Sequence, residues 1–328
     1  MYQHLTDKNL ALDLVRVTEA GALAAARFYG KGDKEAADKA AVDAMRIAFQ
    51  GIHVQGTVII GEGEKDKAPM LYNGEAVGYG DGSEVDVAVD PVEGTSAVAN
   101  GRMNALSVVG MAKKGGLFNP GRSFYCSKIA VCREAAGVID INAPVKVNLQ
   151  AVAKALGKPV GEVNVFVLDK PRHKKLITDI RLAGARVNLH NDGDVAGALM
   201  ACDPRSHIDL LLGTGGTPEA VITACALKGI GGQILVKFDP QSEEERKNVI
   251  EDGFDLDRVL TVDDLVTTDQ CFFAATGVTD GEVLEGVRYE GEFAITKSLS
   301  TRGRTGTMRY VEAYHNRKKL AKMSSIEY

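Results

Sequence analysis

The 328-residue sequence has no tryptophan and only five cysteines: Cys126, Cys132, Cys202, Cys225 and Cys271. An odd, scattered set without a CxxC pair excludes a disulfide framework and a cysteine-based zinc site, and it fits reduced thiols in a cytoplasm. No apolar run approaches the ~20 residues needed to cross a bilayer. The opening stretch, MYQHLTDKNLALDLVRV, lacks a basic segment followed by an apolar one, so no signal peptide is expected. Neither sign of charge dominates. Lys and Arg number 39 against 44 Asp and Glu, a formal net charge of −5, which argues against a general nucleic-acid binder. Internal repeats and low-complexity segments are absent as well. What remains is ordinary globular composition, 45% hydrophobic and 25% charged, in a chain long enough for two domain-sized units or one large α/β unit. Glycine is plentiful at 36 residues. In an α/β chain, glycines at this density mark tight βα turns, some of which hold phosphate.

Hydrophobic periodicity predicts an amphipathic helix over residues 8–29, with Leu12, Val15, Leu23 and Ala26 on its apolar stripe and Gly30 as its stop. Asp33 then stands where an N-cap belongs, ahead of an Ala-rich helix to about Gln50 that would bury Val42, Met45 and Phe49. Strands are predicted at TVII (Thr57 to Ile60) and at the alternating VDVAVD (Val85 to Asp90), with further short strands at ALSVVGMAKKGG and GVIDIN. The second half alternates more regularly. Strand VNVFVL, a helix near 174–182, strand RVNL, a helix from about 195, strand IDLLL, a helix from Pro218 and strand QILVKF follow in turn. Such βα alternation predicts a largely parallel sheet. The Pro-containing INAPVKVNLQ suggests a boundary near 145, dividing the chain into halves 1–145 and 146–328.

In open parallel sheets, ligands bind beyond the carboxyl ends of the strands. Five predicted strand ends carry charged or Gly-rich sequence: Gly61-Glu62-Gly63-Glu64 with Asp66 beyond, Asp90-Pro91-Val92-Glu93-Gly94-Thr95, Lys170-Pro171-Arg172-His173, Asp192-Gly193-Asp194, and Gly215-Gly216-Thr217-Pro218-Glu219. Each alone reads as a solvated turn or helix entry; together they suggest one polar cavity. Clustered carboxylates repel one another unless cations intervene, and all-oxygen sites suit Mg²⁺ or Mn²⁺. Lys and Arg at the same mouth suit phosphate. Acids for metals beside bases for phosphates is the composition of metal-assisted phosphoryl chemistry. The helix after Gly94 could add backbone N–H groups to an anion site. For Asp38, the alternative to a site role is a surface ion pair with Lys34 at i−4.

DPVEGT (Asp90 to Thr95) resembles the D-P-x-D-G-T signature of the lithium-sensitive, metal-dependent phosphatases, with Glu93 where many members have Asp. Taken with GDKEAAD (Gly32 to Asp38), GEGEKDKAPMLYNGE, KPRH, DGD and GGTPE, the chain looks like the bacterial class II fructose-1,6-bisphosphatases from about Arg16 to the C-terminal region. The resemblance implies a layered α-β-α-β-α sandwich, usually a homo-oligomer (dimer or tetramer), acting on a sugar bisphosphate with two or more Mn²⁺ or Mg²⁺ ions. It implies metal ligands at Asp38, Glu62, Asp90, Glu93 and Glu219. Substrate contacts fall at Glu93, Gly94, Thr95, Tyr125, Lys170, Pro171, Arg172, Asp192, Gly193, Asp194 and Gly216, Tyr125 being assigned by its spacing to Lys128. Thr95 matches the catalytic hydroxyl, with Asp66 and Lys34 as further catalytic candidates.

The expected reaction is hydrolysis of fructose 1,6-bisphosphate to fructose 6-phosphate. Sedoheptulose 1,7-bisphosphate and inositol phosphates are alternative substrates, and phosphate sensing without turnover is an alternative of another class. A dinucleotide-binding reading of GTGGTPE fails, because Pro218 and Glu219 occupy the later positions of the G-x-G-x-x-G pattern. No GxSxG nucleophile motif occurs.

Overall fold

The computed structural model describes residues 9–62 and 71–323. The chain opens with two helices, α1 (Ala11–Ala26) and α2 (Lys34–Phe49). As the sequence predicts, Asp33 caps α2, its Oδ1 accepting from the Ala36 N–H at 2.9 Å. Val42, Met45 and Phe49 are buried. In α1, Val15, Leu23 and Ala26 of the expected stripe are buried and Leu12 is exposed, but burial extends beyond the stripe: Leu14, Val17 and the residues from Ala20 to Ala26 are buried on nearly every side. A helix covered by both a neighbouring helix and a sheet is buried all round and loses the one-sided pattern.

The first sheet takes β1 (Val54–Ile60), β2 (Ala76–Val77), β3 (Ser83–Glu93) and β4 (Leu106–Lys113), with the short helix α3 (Thr95–Ala99) between the last two. β3 is longer than the VDVAVD segment. It runs on through Pro91 to Glu93, and its pairing with β4 shifts register between Asp90 and Glu93. Pro91 has no N–H to give the ladder, so the break falls there and re-aims the flanking acids.

The chain then enters a second sheet with β5 (Tyr125–Val131). α4 (Val145–Ala155), β6 (Asn164–Leu168), α5 (Lys174–Leu182), β7 (Arg186–His190), α6 (Asp194–Met200), β8 (Leu210–Gly216), α7 (Thr217–Ile230), β9 (Gln233–Phe238), α8 (Glu243–Glu251) and β10 (Val259–Thr261) follow. After α9 (Val262–Leu265) it returns to the first sheet with β11 (Cys271–Gly277), β12 (Arg288–Glu290), β13 (Phe293–Arg302) and β14 (Thr307–Asn316), and α10 (Arg317–Met323) ends the described chain.

Two expectations are corrected here. GVIDIN forms no strand. The second sheet, ordered β10-β9-β5-β8-β6-β7, is mixed: β7, β6 and β8 are parallel neighbours, but β5 is inserted antiparallel between β8 and β9, and β10 is antiparallel to β9. The strand that breaks the parallel run comes from before the regular βα stretch, where local alternation carries no sign of it. The chain crosses from the first sheet to the second between β4 and β5 and back between β10 and β11, where β11 pairs with β4 and β13 adds to β11, with β12 and β14 pairing to β13.

The layers stack as α1 and α2, first sheet, α6 and α7, second sheet, α4 and α5, the expected α-β-α-β-α sandwich. α7 fills the middle layer and is buried between both sheets. The ends of β1, β3, β6, β7 and β8 therefore open toward one another.

Candidate active site

Where those ends meet lies a cavity of about 630 Å³. Asp38 reaches it from α2, Glu62 from the end of β1, Asp90 and Glu93 from the irregular end of β3, and Glu219 from the first turn of α7. Gly94, Thr95, Tyr125, Lys170, Arg172, Asp192, Gly193, Asp194, Gly216 and Lys34 also line it. All five chemically marked strand ends thus share one space. Pro171 lies between two lining residues but is exposed and does not line the cavity. Asp66 falls outside the described residues.

The local backbone explains the residue types. Gly94 has φ +90°, a left-handed turn that ends β3 and starts α3 with Thr95 facing the cavity. α3 is a single short turn of five residues, so it contributes little of the helix dipole expected there. At the end of β8, a Cβ on Gly215 would collide with the Asp194 carboxylate.

The cavity is acid-rich: eight carboxylates line it against the three cations Lys34, Lys170 and Arg172. Burial pushes the Glu62 carboxyl up to about 8, with the charges of Asp38 and Glu219 adding to the effect. Asp90 is held well above the usual carboxylate range by burial and then by Glu62, Glu219, Glu93 and Asp38. Glu93 is raised by burial and by Asp194, against the Val195 N–H that donates to its Oε1 at 2.9 Å. Burial also raises Asp38 and Glu219. Among the described residues no ion pair joins Asp38 to Lys34; Asp38 instead faces the cavity with Glu62, whose carboxyl its charge helps to raise.

Three buried oxygens, Glu93 Oε2, Asp194 Oδ1 and Glu219 Oε2, have no hydrogen-bond partner. Buried oxygens without partners are costly unless a ligand satisfies them. Among the described residues no three acidic, His or Cys side chains stand ready-assembled around one point. The acids instead line a common wall. A hard divalent cation fits this donor set, since it would satisfy the unpartnered oxygens of Glu93 and Glu219 and relieve the mutual repulsion that raises the metal-side carboxyls.

The cationic side is built separately. Arg172 donates through Nε to the Thr214 carbonyl at 3.0 Å, and its guanidinium sits 5.1 Å from the Tyr125 ring centroid. The backbone N–H groups of Phe124 and Tyr125 both donate to Glu245 Oε1 at 2.8 Å, which pins this loop to α8. His173 is buried, with Nδ1 on the Leu168 carbonyl at 2.7 Å and Nε2 accepting from the Thr214 N–H at 2.8 Å. It joins β6 to β8 and leaves its neighbours Lys170 and Arg172 to the cavity.

Two residues at or behind the cavity are not marked by the motifs. Phe124, 63% exposed, lines the cavity mouth, and nothing local singles it out. Lys128 lies buried behind the wall with its Nζ 2.6 Å from Asp194 Oδ2. Its signal was present: a lysine in phase with Cys126 and Ala130, on the buried face of an apolar strand.

Residues 8–315 match the family model described as bacterial fructose-1,6-bisphosphatase, glpX-encoded. The chain is 41% identical over 321 residues to fructose-1,6-bisphosphatase 1 class 2 of Escherichia coli K12, covering 94% of this chain and 95% of the relative. The class 2 fructose-1,6-bisphosphatase of Shigella flexneri matches with the same identity and coverage. With the cavity built from the residues that carry the resemblance, the chain belongs to the glpX-encoded bacterial fructose-1,6-bisphosphatase family.

Proposed function

We propose that this protein hydrolyses D-fructose 1,6-bisphosphate to D-fructose 6-phosphate and inorganic phosphate. The observation that carries the reading is the single cavity in which a wall of raised carboxyls, with two of its buried oxygens unpartnered, shares space with Lys170 and Arg172. Family membership supplies the substrate class.

Asp38, Glu62, Asp90, Glu93 and Glu219 would hold divalent cations, Mn²⁺ or Mg²⁺, whose Lewis acidity polarises the phosphoryl group and activates water. The Thr95 hydroxyl, at the mouth of the β3 turn, orients the attacking water, and Asp66 is the candidate to take its proton. Lys34 offsets negative charge on the transferring phosphoryl group. Lys170 and Arg172 bind the phosphate that is not cleaved, Arg172 through paired N–H groups held in place by Thr214 and Tyr125. Anchoring that distal group fixes the ester bond against Thr95 and contributes orientation as well as affinity. Asp192 and Asp194 accept from sugar hydroxyls.

The test is phosphate release by metal-stripped protein from fructose 1,6-bisphosphate with Mn²⁺, with Mg²⁺ and with neither. Sedoheptulose 1,7-bisphosphate and inositol 1-phosphate are run alongside. Metal-dependent release from the fructose compound is the expected result. Turnover confined to another substrate would move the substrate and keep the site, whereas silence on all three would leave phosphate binding without catalysis.

A further inference from the structure

Lys128 takes no part in the reaction outlined above and touches none of the cations' expected ligands through a hydrogen bond, yet it is a buried cation directly behind the cavity wall. Its side chain is 3% exposed, and its Nζ is 2.6 Å from Asp194 Oδ2, itself on a side chain 8% exposed. β5, which carries Lys128, is the strand inserted between β8 and β9, so the ammonium rises from the middle of the second sheet toward the start of α6. Around it stand Asp194 from α6, Glu219 from α7 and the Cys126 thiol from its own strand. The backbone beside it is glycine: a side chain on Gly215 would strike the Asp194 carboxylate and reach within 3.3 Å of Nζ. This strand end has been cleared so that a buried lysine and a buried aspartate can meet.

The pair is asymmetric. Asp194 Oδ2 is bound by Lys128, while Asp194 Oδ1 is buried and without a partner, although Asp194 lines the cavity. A charged oxygen that accepts only, held at a cavity wall, attracts a hydroxyl hydrogen and repels a phosphate oxygen. Burying an ion pair is a weak source of stability, because desolvation offsets most of the attraction. Its use here is orientational: with one oxygen clamped from behind, the other has a single direction.

We propose that Lys128 is a positioning residue for sugar recognition, clamping Asp194 so that its free oxygen reads a hydroxyl of the substrate rather than its phosphates. The inference rests on the bisphosphatase reading for the identity of the sugar. It predicts a specificity effect, since a small phosphate ester without hydroxyls gains nothing from Asp194. Loss of Lys128 should therefore harm the sugar substrate selectively.

The experiment compares wild type, Lys128→Met, Lys128→Gln, Asp194→Asn and the Lys128→Met/Asp194→Asn double variant. kcat and KM are measured on fructose 1,6-bisphosphate and on phenyl phosphate. Calorimetry then gives the binding of fructose 6-phosphate and of inorganic phosphate without divalent ions. The proposal expects kcat/KM for the sugar bisphosphate to fall about ten- to hundredfold relative to phenyl phosphate, chiefly through KM. Fructose 6-phosphate binding should weaken while phosphate binding holds. The double variant should be no worse than Asp194→Asn, because Lys128 acts through that carboxylate.

Equal losses on both substrates, or losses that multiply in the double variant, would overturn it. If Lys128→Met does not fold, as judged by circular dichroism and its melt, the near-isosteric Asp194→Asn carries the same substrate comparison: a selective loss on the sugar supports the clamp, and an equal loss on both substrates overturns it. Wild-type protein inactive on fructose 1,6-bisphosphate would count against the proposed function, while its calorimetric arm would still test the clamp.

Discussion

Asp38 on α2 and Glu62 at the end of β1 line the same cavity, and the Asp38 charge adds to burial in pushing the Glu62 carboxyl up to about 8. Two acids from separate elements have been brought together at the edge of a cavity already crowded with negative charge. An arrangement of this kind is unfavourable for the protein alone and suited to a cation, and it leads directly to what neutralising these acids should do.

Glu62→Gln and Asp90→Asn remove charge while keeping shape. Each should lower kcat by about 100-fold or more with an unchanged circular dichroism spectrum. Wild-type turnover in either variant would remove that residue from the metal set.

Metal should also register as stability. Mn²⁺ that binds the folded protein and not the unfolded chain raises the melting temperature, by about 2.7 kcal/mol of added stability at a hundredfold excess over Kd. Glu219→Gln should reduce that rise. A melt unmoved by Mn²⁺ at millimolar concentration would count against the carboxylate wall as a cation site.

Thr95→Ala should lower kcat by about 10²- to 10⁴-fold with little change in KM, and Thr95→Ser should restore much of the rate. A change confined to KM would make Thr95 a binding residue only.

Arg172→Ala should raise KM for the bisphosphate more than it lowers kcat, since its partners Thr214 and Tyr125 aim it at a group remote from the cleaved bond. Tyr125→Leu, which leaves the Thr214 contact and removes the ring, should give a smaller effect in the same direction, about 0.5–1 kcal/mol. Steady-state kinetics at several substrate concentrations separates the two parameters.

A pH dependence of stability arises far from the cavity. Glu19 on α1 is buried, accepts from Thr296 Oγ1 at 3.3 Å and lies 3.9 Å from His315 Nε2. Burial lowers His315. Burial also raises the Glu19 carboxyl from 4.5 to about 7, against the Thr296 hydrogen bond and the Arg16 charge. Between those two values the folded protein holds a proton that the unfolded chain has released. The contribution is therefore complete below the unfolded value and declines as pH rises to about 7, by about 3 kcal/mol. Glu19→Gln cannot titrate, so its stability relative to wild type should improve between about pH 5 and pH 8 in urea unfolding. A difference that stays constant with pH would show that Glu19 does not titrate in this range.

Much of this protein was legible along the chain. Asp33 capping α2, the helix at 174–182, strand QILVKF and the five chemically marked strand ends are all set by neighbours a few residues away, where capping, periodicity and turn chemistry operate. The acids of DPVEGT and GGTPE point to phosphoryl chemistry only together with the bases of KPRH and the family resemblance, since each motif alone also fits a solvated turn. Other features depend on partners distant in sequence. β5 enters the second sheet from before the βα repeat and turns a parallel pattern into a mixed one. β11 to β14 come back to complete the first sheet from the far end of the chain. α1 buries residues well beyond its expected stripe because it is covered on both sides. Likewise, only folding set Lys128 against Asp194, and Asp38 against Glu62 rather than Lys34. Local sequence determined which chemical groups this protein carries and roughly where each element begins. Long-range pairing of strands decided which of those groups face one another, since strand order is a property of the whole packed core and has no local period to betray it.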